Sequence, residues 1–311
     1  MRVVQANEAS IAEAAARLRA GGLVAFPTET VYGLGARALD ADAVRRVFAA
    51  KGRPSAHPLI AHVTGEEQAR TLASEWPEVA SKLARALWPG PLTLVVPRAE
   101  RVPVEVSGGA PSIAIRAPAH PVAAALLEAV GEPIVAPSAN RYQALSPTTA
   151  EHVRASLGDA DVLVLDGGPC ARGLESTVLD VRVYPARILR PGPIGPGALF
   201  ALGVEVAIAT GDVAENDVRP SPGMDARHYA PRAPLFLAET REELARLAAA
   251  EGARVLALPA DPDDAARVLY AELHRLDAEG ARAIAVLMPP AEERWLAVRD
   301  RLGRASHAPR S

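Results

Sequence analysis

Residues 23–35 read LVAFPTETVYGLG, an apolar run LVAF (23–26) followed at once by the polar PTET (27–30). Four apolar residues bounded by Gly21-Gly22 and by Pro27 read as a buried strand, since a strand covered on both faces needs no polar side. Upstream, Ile11, Ala14, Ala15 and Leu18 share one face of a helix predicted over 8–20 and stopped by the glycine pair, and VVQA after Met1 is strand-like. Downstream the pattern predicts a helix near 41–50, a strand PLIAHV (58–63), helical segments over 65–88, and strands LTLVVP (92–97) and SIAIR (112–116). A helix at 121–130, a strand PIVAP (133–137), a helix at 148–157 and strands DVLVLD (161–166) and STVLDV (176–181) follow. Several strands succeed one another directly, so the fold class is α/β with a sheet that is not purely parallel.

From Ala207 to Pro231 the pattern stops, and AIATGDVAENDVRPSPGMDARHYAP reads as an interdomain linker. Beyond it PLFLA (234–238), VLALP (255–259) and AIAVLMP (283–289) alternate with helices near 240–250, 262–278 and 291–304, as in a small three-layer unit with a parallel sheet. The expected organisation is therefore a domain over 1–206, a linker over 207–233 and a smaller α/β domain over 234–311. A chain of 311 residues is long enough for two cores. Its 34 basic and 37 acidic side chains leave a net charge of −3, and residues 1–205 carry 20 of each, so charge alone does not point to nucleic acid. The single cysteine, Cys170, excludes an internal disulfide and a multi-thiolate zinc site, and it fits a reducing, cytoplasmic setting. With no basic and apolar leader at Met1 and no apolar run of membrane-spanning length, neither export nor a membrane is expected.

Common site signatures fail. There is no G-x-x-x-x-G-K-[ST]; Gly33-Leu-Gly35 stands six residues beyond its strand, and Ser138 follows Pro137 without the G-x-S-x-G elbow. His57 and His62 are not spaced as helical zinc ligands, and no metal site is expected. What remains is a set of polar residues at the ends of apolar strands: PTET, Lys51 and Arg53, His57 and His62, Arg116, Ser138 and Asn140, Ser146 and Thr148, Ser176, and Arg190. Ligands of open α/β sheets collect at strand ends, so these loops are expected to surround one crevice. Guanidinium, ammonium and hydroxyl donors there suit an anion. Only Lys51 and Lys82 are lysines among 34 basic residues, which argues that Lys51 is more than a solvated charge at a helix end. Helix caps are the structural alternative for Ser146 and Thr148.

The stretches FPTETVYGLG (26–35), KGRP with HPLIAHV (51–63), LWPGPLTLVVP (87–97), SIAIRAPAHP (112–121), APSAN with SPT (136–148), DGG with GLESTVLD (166–180), ILRPGPI (188–194) and SPGM with RHYAP (221–231) together resemble the threonylcarbamoyl-AMP synthase family, YrdC-like enzymes in their long two-domain form. The resemblance spans the first domain and the linker; the last eighty residues match in pattern only. It implies a twisted mixed sheet with helices, followed by a Rossmann-like three-layer domain. The implied reaction condenses L-threonine, bicarbonate or CO2, and ATP with Mg²⁺ into threonylcarbamoyl-AMP and pyrophosphate. That product feeds a downstream tRNA threonylcarbamoyl transferase, and direct tRNA binding stays open.

By the same resemblance Lys51 and Arg53 are the catalytic cations. Arg53, His57, Ser112, Ser138, Asn140, Ser146, Arg190 and Tyr229 surround ATP, with Tyr229 closing over the site from a lid-like linker. Thr30, His62, Arg116 and Ser176 surround threonine, Arg116 facing its carboxylate. The chain reads Arg141-Tyr142-Gln143 where the family usually carries Ser-Gly, and His57 stands where Asn is common. A non-catalytic, ribosome-associated RNA-binding module is the alternative. The related carbamoyl-transfer domain of hydrogenase maturation is excluded by the lack of zinc-ligating cysteines.

Overall fold

The computed structural model describes residues 1–209 and 229–306. Its strands are β1 (Arg2–Gln5), β2 (Leu23–Phe26), β3 (Gly33–Arg37), β4 (Ile60–His62), β5 (Leu92–Pro97), β6 (Ser112–Arg116), β7 (Ile134–Val135), β8 (Val162–Asp166), β9 (Thr177–Asp180), β10 (Ala186–Arg190), β11 (Val206–Ile208), β12 (Leu235–Ala238), β13 (Arg254–Leu256) and β14 (Ile284–Leu287). The first eleven form one mixed sheet in the order β1-β8-β2-β3-β7-β4-β6-β5-β9-β10-β11, and the last three form a parallel sheet ordered β12-β14-β13. The mixed α/β expectation and the small parallel second sheet both hold.

Strand alternation distributes the core of the large sheet. Val24 and Phe26 of β2 join Leu163 and Leu165 of β8 against the packed pair of helices Glu8–Arg19 and Pro121–Val130. Leu23, Ala25, Val162 and Val164 point the other way, into the main core with Val44, Val47 and Phe48 of the helix Ala41–Lys51. Along β4 and β6 the same alternation sends Ala61, Ile113 and Ile115 into that core. Ile60 and Ala114, with Val95, Val178 and Leu189, form a separate small cluster on the opposite face. That second face carries the site.

Several elements differ from the sequence expectation. The strands at 58–63 and 133–137 contract to three and two residues; their flanking prolines, Pro58, Pro133 and Pro137, have no N–H to give a ladder. The helix expected from 148 begins at Ala150, because Thr149 caps it by accepting from the His152 N–H at 3.2 Å, so neither Ser146 nor Thr148 is the cap. The expected boundary at 206 runs through β11, which pairs with β10 in parallel. Most of the linker, including the stretch carrying SPGM, lies outside the described residues. β3 was not foreseen: its glycine-rich GLGAR has little β propensity, yet it pairs antiparallel with β2. Space dictates those glycines. A Cβ on Gly35 would stand 2.9 Å from Phe26 Cε1 and 3.1 Å from the Val24 carbonyl oxygen.

Gly35→Ala is accordingly expected to cost about 1–3 kcal/mol through overpacking. Urea unfolding at constant slope would show it as a lower midpoint, and an unchanged midpoint would mean that Phe26 yields freely.

Candidate functional site

The helix Ala41–Lys51 explains why its last residue is not solvated. Val44, Val47, Phe48 and Lys51 recur at helical spacing and are buried as one stripe. Gly52 then ends the helix in the left-handed region at φ 63°, which turns the chain toward Arg53. The Lys51 amine, 2% exposed, donates to the carbonyls of Ser138 and Asn140 and so fastens the loop after β7. Burial, and then the nearby Arg53 guanidinium, hold its pKa well below the usual lysine value. Lys51 is thus behind the cavity wall. Its burial is incompatible with a charge solvated at a helix end.

The floor of the site is the sheet face left open by the helices. Parallel pairing sets Ile60 beside Ala114 and His62 beside Arg116, so His62, Arg116 and their neighbours at intervals of two share one side. On β10 a bulge between Ile188 and Arg190 sets Arg190 opposite Val178 of the same face. These residues, with Thr28, Thr30, Arg53, Ser138, Glu175, Ser176 and Tyr229, line a cavity of about 40 Å³. The crevice expected at strand ends is therefore a cavity on the sheet face, walled by loops.

Within it Arg116 donates to Thr30 Oγ1 at 2.8 Å and to the Gly90 carbonyl at 3.2 Å, and its third nitrogen lies 2.6 Å from Glu29 Oε1. Two of the five guanidinium N–H groups are hydrogen-bonded and Nη2 makes an ion pair with Glu29, which leaves N–H groups for a ligand. His62 packs edge-on against Phe26, and burial, then Arg116, push its pKa down to about 3. It is a neutral imidazole at any ordinary pH. Arg190 donates to the Ser176 carbonyl at 2.9 and 3.2 Å and to its hydroxyl at 3.2 Å, while Thr93 holds the same hydroxyl at 2.7 Å. Arg53 donates to the Pro58 carbonyl at 3.1 Å and stands 5.9 Å from the Tyr142 ring, which also meets His57 edge-on.

Thr30, Arg53, His62, Arg116, Ser138, Ser176, Arg190 and Tyr229 of the sequence-predicted set thus line one cavity. Lys51, His57, Ser112, Asn140 and Ser146 do not line it. The Asn140 amide nitrogen is used within its own loop, donating to the Arg141 and Ala144 carbonyls at 2.8 Å each, while its Oδ1 is buried with no hydrogen-bond partner among the described residues. Ser112 Oγ is buried with no hydrogen-bond partner among the described residues. Ser146 bonds Glu175 Oε1 at 2.5 Å.

Sequence reasoning missed the carboxylates. Glu29 and Glu175 sit inside the quoted PTET and GLESTVLD stretches but carried no assignment, and their arginine partners are remote in sequence. It also missed the second domain's share. Tyr270 donates to Glu175 Oε2 at 3.1 Å and Arg301 to the same oxygen at 2.8 Å. Tyr229 takes a 3.4 Å bond from Arg190, lies 5.9 Å from the Tyr270 ring and has the Arg301 guanidinium 5.1 Å from its own ring. It is therefore both a cavity wall and a contact with the second domain. No cluster of three or more His, Cys, Asp or Glu among the described residues suits a metal. Glu175, the carboxylate in the cavity lining, is paired with Arg301, and Glu29, which does not line the cavity, is paired with Arg116. A wider cleft of about 350 Å³ between the domains is lined by Arg172, Ile194, Arg267 and Arg294 among others and holds none of the predicted site residues.

Residues 16–192 match the family described as telomere recombination, and residues 198–307 match the threonylcarbamoyl-AMP synthase C-terminal domain. The chain is 41% identical to the threonylcarbamoyl-AMP synthase of Pyrococcus abyssi over 324 residues, covering 96% of this chain and 95% of that one. To the Bacillus subtilis threonylcarbamoyl-AMP synthase it is 44% identical over 238 residues, covering 76% and 69%. The crystal structure of P. abyssi Sua5 complexed with L-threonine superposes with a TM-score of 0.91 at 39% identity, covering 98% of this chain and 96% of that one.

Because the unfolded His62 ring takes up a proton below about 6.5 and the folded one not until about 3, the unfolded state binds more protons in that window. Stability therefore falls as pH drops through it. Between pH 7 and pH 5 the wild-type protein is expected to lose about 1–2 kcal/mol more unfolding free energy than His62→Gln. Parallel losses in urea titrations would contradict a neutral, buried His62.

Proposed function

The chain belongs to the threonylcarbamoyl-AMP synthase family in its two-domain form, and from that membership we infer that it makes threonylcarbamoyl-AMP from L-threonine, bicarbonate or CO2, and ATP. This is the activated intermediate for threonylcarbamoyladenosine in tRNA, and the reaction is a nucleotidyl transfer. The observation that carries the reading is one cavity in which Arg116 retains donors for a carboxylate while Arg53 and Arg190 bring two further guanidiniums. Threonine lies with its carboxylate on Arg116 and its remaining groups toward Thr30, His62 and Ser176. ATP lies against Arg53, Ser138, Arg190 and Tyr229, with His57, Ser112, Asn140 and Ser146 behind them.

The neutral amine of threonine adds to CO2, giving an N-carboxylate and a proton that passes to solvent. One of its oxygens attacks the α-phosphorus in line with departing pyrophosphate, and no protein nucleophile is needed. The protein's work is to hold the two reactants together and to neutralise phosphate charge. Arg53 does so at the cavity wall. Lys51 does so from behind, fixing the Ser138–Asn140 loop and adding a charge that an arriving polyanion favours. The cavity's carboxylate, Glu175, is engaged by Arg301, so magnesium is assigned to the substrate as MgATP. A cytoplasmic setting suits the buried thiol of Cys170, and the product passes to a separate tRNA threonylcarbamoyl transferase.

The direct test is pyrophosphate release that requires both threonine and bicarbonate; release independent of threonine would reject the reading. Arg53→Ala is expected to lower turnover by roughly a hundredfold or more with the fold intact, Lys51→Ala likewise, and Arg53→Lys is also impaired because an ammonium lacks the planar fork. Valine should be used at least about a hundredfold less well than threonine, since it leaves hydroxyl-binding groups unpaired. Equal use of valine would remove Thr30 and His62 from the threonine pocket.

A further inference from the structure

Glu175 lines the cavity of Arg53, Ser138 and Arg190. An uncompensated carboxylate in the wall of a pocket that admits a triphosphate repels its ligand, and in a buried site that repulsion is poorly screened. Here the carboxylate is answered completely. Its Oε1 accepts from Ser146, and its Oε2 accepts from Tyr270 and from the Arg301 guanidinium. The two donors on Oε2 come from the second domain, and Arg301 is the one that brings a charge. Burial by itself would raise the Glu175 pKa, but Arg301 and then Arg190 bring it below the usual carboxylate value, so it is an anion that needs its cation.

Arg301 is built for this task. It is 0% exposed, on the helix Leu296–Ala305, and its second anchor is Asp300, which Arg304 in turn holds. Its guanidinium also covers the Tyr229 ring, whose hydroxyl meets Arg190. We propose that Arg301 is a positioning residue for the polyanionic substrate, contributed by the second domain, which acts by neutralising Glu175 in the wall of the nucleotide pocket. This rests on the reading that ATP occupies that cavity. Threonine, a zwitterion without net charge, is indifferent to this compensation. The effect is therefore selective between the two substrates, which a packing role for Arg301 would not be.

The test measures MgATP and L-threonine binding separately, by calorimetry on the full chain. Arg301→Met is expected to weaken MgATP about tenfold or more and to leave threonine within about twofold. Arg301→Lys, which keeps the charge, should lie between it and wild type. Adding Glu175→Gln to Arg301→Met removes the orphaned charge and should restore MgATP affinity to within about threefold of wild type. Equal weakening of both ligands, unchanged MgATP affinity in Arg301→Met, or no recovery in the double variant would overturn the proposal. Should Arg301→Met not fold, the double variant and Tyr270→Phe decide. The double variant must bind MgATP nearly as wild type. Tyr270→Phe, which removes one neutral donor, must weaken MgATP by about two- to fivefold with threonine unaffected, and the opposite result in either overturns the proposal. A wild-type chain that turns over threonine and ATP while Arg301→Met keeps its MgATP affinity defeats this inference alone. A wild-type chain that binds no ATP defeats the functional reading and this inference with it.

Discussion

A guanidinium taken out of water must be met by acceptors, and the described structure buries four of them, Arg53, Arg116, Arg190 and Arg301, around one small cavity. Removing such a charge from water costs several kcal/mol unless its N–H groups are answered. The answers fix much of the local chain. Arg116 ties the loop before β2's partner to the turn at Gly90 through Thr30, Glu29 and the Gly90 carbonyl. Arg190 ties β10 to the start of β9 through Ser176. Arg301 ties the second domain to the first through Glu175.

The large sheet can host this polar layer only because its strands alternate. One side of β4 and β6 gives Ala61, Ile113 and Ile115 to the core, and the other presents Ile60, His62, Ala114 and Arg116. Helices cover the first side. The second is closed by the loops after β7 and β10 and by Tyr229 with the second domain behind it. Close approach is required there: a Cβ on Gly192 would stand 2.3 Å from the Thr177 nitrogen, so the PGPIG loop can cross Ser176–Thr177 only as glycine. A covered cavity of this kind suits the proposed chemistry, since shielding from solvent slows hydrolysis of a mixed anhydride.

The strands and most helices were legible because their apolar runs and helical stripes are local signals. The elements that escaped were those set by tertiary context. β3 is made of GLGAR, whose glycines serve the packing of Phe26 rather than any strand propensity, and β11 is an edge strand that pairs with β10 among the described residues. The cavity residues were legible as motifs, and two stronger signals went unread. The alternation in SIAIR already separates Ser112, Ala114 and Arg116 from two isoleucines, and the spacing of Val44, Val47, Phe48 and Lys51 already places the lysine on a buried stripe. Glu29, Glu175, Tyr270 and Arg301 were not legible. Glu175 and Arg301 are 126 residues apart, and nothing local marks either as the partner of the other.

In the proposed reaction one sheet face holds threonine and ATP side by side, the amino acid on Arg116 and the phosphates on Arg53 and Arg190. A crystal structure of the chain with L-threonine and a non-hydrolysable ATP analogue tests it most directly. The expected result is the threonine carboxylate within hydrogen-bond distance of Arg116, its nitrogen facing the α-phosphate, and the triphosphate against Arg53 and Arg190. A triphosphate bound instead in the wider cleft, at Arg172 and Arg267, or a threonine carboxylate away from Arg116, would contradict it.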